Sequence, residues 1–451
     1  MMILAWAAMW TAVMPASQGP FTHRFTLSTP AEVVATVTAG CARCDWGVRD
    51  REAVLLEISI DGAYSQHLVL TRGGRPAPYR ILLGPLTAGP HVVIVRRDDR
   101  RSSREAGPAT INRMDVRSFS ADAPEYPWLS RAPVLRARPG AMERFSDVPL
   151  LMYAERDVPG EAGGRYRFQY TVIFSHEDGG TPADRLMATW GRTTDIEFVY
   201  GIADDPADPD RGMIQAENHK WIPFNGPRVG AHPVLWVSTD NNMMADHGPD
   251  EAIRFAPAPA LVTLGSRSRE VVMDDEPWTY AITAAETVRE GRVDPAALPR
   301  SGKLPNPRQY ATVEACADVT GATLAFDIGV RDGDGQLRWF ATDRGEATFR
   351  IARGGCFRGG APLPEGTSPR DIVGLRVRAY ARTSQARVVL RSVNRVFVLD
   401  ASYAPALAPF GWSGELVVAT DGAPVDLPAR VLNGTSVVNL VSRRVVFDRQ
   451  L

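Results

Sequence analysis

Short runs of Val, Ile, Leu and Phe recur along this chain between Gly, Pro and Asp turns, and very few stretches keep a helical period. Ala53 to Ile60 ends at Asp61-Gly62, and His91 to Val95 follows the Ala88-Gly89-Pro90 turn. Asp332-Gly-Asp-Gly335 and Asn433-Gly434 are further hairpin signals between apolar runs. Such punctuation predicts a mostly β protein built of tandem antiparallel β-sandwich domains, with a few short helices in its central unit. Within 451 residues there is room for about three domains of ordinary size. The expected division is an N-terminal sandwich over residues 20–118, a central β-rich unit over 129–300 and a C-terminal sandwich over 305–451. The Pro-rich passage Asp122 to Trp128 reads as a linker between the first two.

Residues 1–19 look like a secretory signal peptide. An apolar run from Ile3 to Met14 is followed by small residues suited to signal peptidase, although no basic residue precedes it. No later run has the unbroken apolar length of a transmembrane helix, so the mature protein is expected outside the cytoplasm, periplasmic or secreted. Four cysteines suit that compartment: Cys316 and Cys356 can close one disulfide, and Cys41 and Cys44 a second. A Cys-x-x-Cys pair with no second pair is half a zinc site, and no thioredoxin-like βαβ setting surrounds it. A net charge of −1 gives no general attraction to nucleic acid. The run Arg96 to Arg101 carries its own carboxylates. Lys220 and Lys303 are the two lysines, a bias expected of GC-rich bacterial coding.

Candidate chemistry concentrates between Phe168 and His247, where four of seven histidines fall among carboxylates. Phe168, Tyr170, Val172 and Phe174 alternate with polar residues as a half-buried strand that ends at His176-Glu177-Asp178-Gly179-Gly180. Thr181 as cap and Pro182 at the first helical position open a helix whose apolar face is Ala183, Leu186, Met187 and Trp190, and Gly191 closes it. The next strand places Asp195 and Glu197 on one face, about 6.6 Å apart along the strand, with Ile196, Phe198 and Tyr200 on the core side. Two carboxylates so placed repel unless solvent, Arg192, a cation or a raised pKa offsets the charge. His176 and His232 are the histidines expected near them. Asp240-Asn241-Asn242 adds oxygen donors at the end of the His232 to Trp236 strand, and Trp190 or Trp236 could supply a stacking face. The acidic loop from Asp204 to Asp210 has the composition of a calcium loop, but its prolines and spacing do not fit an EF-hand. No nucleophile elbow, phosphate loop or dinucleotide fingerprint is present.

Two resemblances follow from these residues. Thr193-Thr-Asp195-Ile-Glu197-Phe is similar to the Glu-x-Asp-x-Glu strand of the laminarinase/lichenase group of retaining glycosidases. That resemblance implies an acid/base role for Glu197, while Thr193 stands at the nucleophile position and cannot form the glycosyl ester. Ala132 to Leu135, Phe145 to Leu150, Asp195-x-Glu197, His232 to Trp236 and His247 follow in the order seen in the vacuolar-sorting-sixty-two-like family. That family implies a β-rich domain over about residues 129–250 without an established chemistry. Its middle motif resembles Asp-Trp-Glu-His, from which Ile196 and Phe198 depart.

Three functions remain open on the sequence. One is an exported protein binding a glycan or other polar ligand, with Trp190, Arg192, His232, Trp236, Asp240 and Asn241 as contacts and a divalent cation as an optional cofactor. Another is a secreted hydrolase with Asp195, Glu197 and His176 as candidate catalytic residues. The last is a structural or adhesive envelope protein. Metal ligands and oligomeric state are not specified by these residues.

Overall fold

A computed structural model describes residues 19–160, 164–205, 207–208 and 211–427. Apart from Gly19, the expected signal peptide lies outside them, as does the Asn433-Gly434 hairpin. The described residues are mostly β, arranged as six sheets that pair face to face into three sandwiches.

In the first sandwich a four-stranded sheet (Phe21–Leu27, Gly89–Arg97, Leu55–Ile60, Ala63–Val69) faces a three-stranded one (Ala77–Leu86, Ala31–Cys41, Ala109–Phe119). Strict alternation explains the pairing. Val33, Ala35, Val37 and Ala39 point inward to meet Leu56, Ile58, Val93 and Val95. In the central unit, a six-stranded sheet runs Lys220–Pro223, Gly212–Ala216, Ile196–Ala203, Arg165–Phe174, Pro149–Pro159, Ala260–Val262. It packs on a five-stranded sheet built around His232–Val237 and Val134–Arg136. The third sandwich stacks Tyr310–Thr320 and Arg387–Leu399 with their neighbours on Ala322–Arg331 and Ile372–Ala381. Asp332 to Gly335 makes the expected hairpin, Asp332 N–H donating to Gln336 O at 2.9 Å.

The first two sandwiches share one continuous core. Val34, Leu55, Leu82 and Phe119 of the first pack with Trp128, Tyr170, Val172 and Leu235 of the second. The Pro-rich passage therefore differs from a tether. It forms the short helix Tyr126–Leu129, and Trp128 is buried with its carbonyl accepting from Tyr170 Oη at 2.7 Å. Leu82 N–H also donates to Ala256 O at 2.8 Å, fastening the edge strand of the first unit to a loop of the second. Both expected disulfides form, Cys41–Cys44 and Cys316–Cys356. They fit an oxidising compartment outside the cytoplasm. No helix among the described residues is long and apolar enough to cross a membrane.

Candidate functional site

The strand Ile196–Ala203 pairs with Arg165–Phe174, and the register carries a bulge between the Tyr170–Tyr200 and Thr171–Phe198 pairs. A bulge moves every later side chain to the other face. Val172 opposes Glu197 and Tyr170 opposes Tyr200, so Glu197 and Tyr200 look to the same side. Tyr200 therefore does not share the face of Ile196 and Phe198 as simple alternation predicts. Asp195, just ahead of the strand, and Glu197 project towards the interior of the sandwich, and both are buried, at 2% and 5% exposure.

Their neighbours come from three other segments. Glu177 is buried beside them, its Oε1 accepting from Thr181 N–H at 2.6 Å. Gly179 donates its N–H to Asp240 O at 2.9 Å. A Cβ on Gly180, which has φ 89°, would lie 2.6 Å from Asn241 Oδ1 and 2.7 Å from Glu177 Oε1. The glycine pair is what lets the Asp240–Asn241 loop close on Glu177. Asn242, fully buried, donates from Nδ2 to Asp195 Oδ2 and to His176 O, both at 3.3 Å. With its amide nitrogen facing them, Gln215 donates to Glu197 Oε2 at 2.8 Å and Phe198 O at 3.3 Å. The exposed His219 stands beside them, with Nδ1 3.8 Å from Glu197 Oε2 and Nε2 3.4 Å from Asn241 Nδ2. Asn218 and His219 are consecutive non-glycine residues at φ 60° and 57°, a strained turn of a kind that clusters at ligand sites.

Electrostatically the cluster is under-compensated. Burial, reinforced by the adjacent Asp195 charge, pushes Glu177 up to about 8. Burial and then the Asp195 charge hold Glu197 well above the usual carboxylate range. The balancing cations lie at the far edge. Arg192 Nη1 is 3.9 Å from Asp195 Oδ1, while its Nε stands 3.3 Å from Glu270 Oε1. Burial opposes the charge of Arg269, yet Glu197 and Glu270 keep it raised. Burial thus favours the protonated form of both Glu177 and Glu197, in which a carboxyl can donate as well as accept a hydrogen bond.

The remaining sequence candidates divide. Asp240 is exposed, Asn241 is half-buried beside His219, and Arg192 is buried near Asp195. Trp190 does not offer a free stacking face: the Arg353 guanidinium lies 3.3 Å from its ring centroid, with Arg192 and Arg269 at 5.5 and 5.7 Å. Trp236 is buried, donating from Nε1 to Pro249 O at 3.0 Å with Arg136 5.1 Å from its ring. His232 is likewise away from the cluster. Its Nδ1 is 2.8 Å from Ala132 O and its Nε2 3.0 Å from Glu32 Oε2, which joins the first two sandwiches. His176 sends only its carbonyl to the cluster, its ring turning to a separate group of carboxyls. His247 is exposed and pairs with Asp246 at 2.6 Å. The helix runs Ala183–Trp190 with Pro182, not Thr181, at its N-cap, and Gly191 terminates it at φ 66°.

Sequence reasoning passed over Gln215, Arg269 and Glu270, which arrive from distant segments and carry no local signature. Trp221 was also passed over. It is half-buried, pairs across the sheet with Gln215 and packs on Tyr166 with ring centroids 5.0 Å apart.

No family model matches this chain, and no curated protein matches it. Among solved structures, a ruminal GH26 endo-β-1,4-mannanase aligns over 32% of this chain and 28% of its own, at 12% identity and a TM-score of 0.18. The apo form of Pleurotus ostreatus lectin aligns over 90% of this chain and 85% of its own, at 10% identity and a TM-score of 0.11. This chain thus spans under a third of the mannanase. At these scores neither alignment bears on what the chain does.

Proposed function

We propose that this protein acts outside the cytoplasm as a binding protein for a neutral, hydroxyl-rich ligand, a glycan, held at the mouth formed by His219, Asp240 and Asn241 above Glu197. The observation that carries this is the buried carboxyl of Glu197, beside Asp195 and 3.8 Å from the exposed His219, where burial favours its protonated form. A protonated carboxyl gives and takes hydrogen bonds as a sugar hydroxyl does, and it exerts no charge attraction for ions. The rim adds an imidazole, an amide and a carboxylate, a mixed set of donors and acceptors suited to hydroxyls. Trp221 supplies the half-exposed ring that Trp190 and Trp236 do not.

Hydrolysis fits this geometry less well. Glycosidase carboxyls stand about 5 Å apart in retaining enzymes and further apart in inverting ones, because they flank the sugar bond. Asp195 and Glu197 instead lie close enough together for the Asp195 charge to raise Glu197. The test is a panel of neutral oligosaccharides followed by calorimetry on the hits. Glu197→Gln, which keeps the shape and donor capacity of a protonated acid, should bind like wild type, whereas Glu197→Ala should lose binding about 10-fold or more, the loss of one buried hydrogen bond. Absence of any glycan binding overturns the proposal. Sugar release by wild type that stops in Glu197→Gln replaces it with the hydrolase.

A further inference from the structure

The His176 ring sits in a second carboxyl cluster. Its side chain is 1% exposed, and neither ring nitrogen has a hydrogen-bond partner. Nδ1 faces Asp178 Oδ1 at 3.6 Å and Nε2 faces Glu290 Oε2 at 3.5 Å. Both are longer than an N–H···O bond of about 2.7–3.2 Å. The Nε2–Glu290 spacing does match a different contact: two ligands each about 2.1 Å from a tetrahedral ion lie about 3.4 Å apart.

Glu286 completes a set on the Nε2 side. It lies on the helix Trp278–Arg289, one turn before Glu290, so the two carboxyls share a face. Glu286 is fully buried, and its Oε2 accepts from Trp46 Nε1 at 2.8 Å. Its Oε1 has no hydrogen-bond partner, although Arg289 Nη2 stands 3.3 Å away. Arg292 holds Glu290 Oε2 at 2.9 Å. Ligand atoms of His176, Glu286 and Glu290 all lie within 4.8 Å of one another.

We propose that His176, Glu286 and Glu290 bind one divalent transition-metal cation of the Zn²⁺ type. An imidazole nitrogen with two carboxylates suits Zn²⁺ better than Ca²⁺ or Mg²⁺, which prefer oxygen alone. Glu290 is 20% exposed, so the ion enters on its side and water can take a fourth position. Asp178 then stands behind Nδ1 as the outer carboxylate that commonly orients a metal-bound histidine. Asp147 and Asp178 lie equally close to His176 on the other side. Asp178, however, already accepts from three donors, Arg138, Arg144 and Ser146, whereas Glu286 and Glu290 each face one guanidinium. The bound ion would join the end of the Arg165–Phe174 strand to the helix and, through Trp46, to the first sandwich.

The test uses the full chain stripped with EDTA and then titrated with Zn²⁺, Mn²⁺ or Ca²⁺ by calorimetry, with metal content read by mass spectrometry. Wild type should take up one equivalent of Zn²⁺ and gain thermal stability from it. Glu290→Gln changes a partly exposed side chain, so it should fold as wild type does in EDTA, bind Zn²⁺ about 100-fold or more weakly, and keep the glycan binding proposed above. His176→Ala should abolish uptake. Failure of wild type to bind Zn²⁺ at micromolar concentration overturns the proposal. So does unchanged affinity in Glu290→Gln, or loss of affinity in Asp147→Asn with Glu290→Gln unaffected.

Discussion

Two groups of buried carboxyls in this molecule have opposite electrostatics. Where the C-terminal sandwich meets the central helices, Arg358 donates to Glu314 from Nε at 3.0 Å, to Tyr280 Oη at 2.8 Å and to Asp274. Arg395 adds a second guanidinium, donating to Glu314 at 2.9 Å. Burial alone would raise Glu314, but Arg358, Arg395 and Arg267 lower it to about 2. Around Glu197 the order reverses. The guanidiniums stand off, burial prevails, and Glu177 rises to about 8. Saturated ion pairs fasten domains, whereas carboxyls that burial pushes towards the protonated form, beside a strained surface turn, are suited to meeting a ligand.

The contrast predicts effects of different size. Arg358→Met should be the most damaging change, costing about 3–5 kcal/mol, because Asp274 and Glu314 stay buried without their partner. Denaturant unfolding measures this, and a loss below about 1 kcal/mol would remove the distinction between the two groups. The next effect is on pH dependence. Glu177 has a raised folded pKa, so between about 4.5 and 8 the unfolded chain ionises while the folded one resists. Stability should fall as pH rises through that window, on the order of 1 kcal/mol per unit. Glu314 has a lowered pKa, so its contribution is present above about 4.5 and is lost as pH falls towards 2. Glu177→Gln should reduce the first slope, Glu197 and the other raised carboxyls keeping the rest, and leave the second unchanged. His232→Ala should cost about 1–3 kcal/mol by leaving Glu32 unpaired in the seam, with no change in glycan binding. The smallest effect is expected from Trp221→Ala, roughly 1 kcal/mol of ligand affinity and little stability.

Local patterns were legible and long-range partners were not. Turn residues at Asp61-Gly62 and Asp332 to Gly335 mark real hairpins, because their backbone preferences act within a few residues. The period of two correctly put Asp195 and Glu197 side by side. It failed two residues later at the bulge, since nothing in Phe198-Val199-Tyr200 announces an extra residue. His232 and Trp236 have side chains that commonly bind ligands, yet sheet pairing seats one against Glu32 and the other against Pro249. Arg269 and Glu270 reach Asp195 and Glu197, and Glu286 reaches His176, only through tertiary packing. A local window of sequence cannot contain them.

The most direct test of the central claim is ligand affinity as a function of pH, measured by calorimetry on wild type and Glu197→Gln with the best glycan from the panel. If Glu197 binds as a neutral carboxyl, wild-type affinity should hold at neutral pH and fall as the pH is raised enough to ionise it. Glu197→Gln should then stay level throughout. A wild-type profile that strengthens with rising pH, or that matches the Gln variant at every pH, would contradict the account.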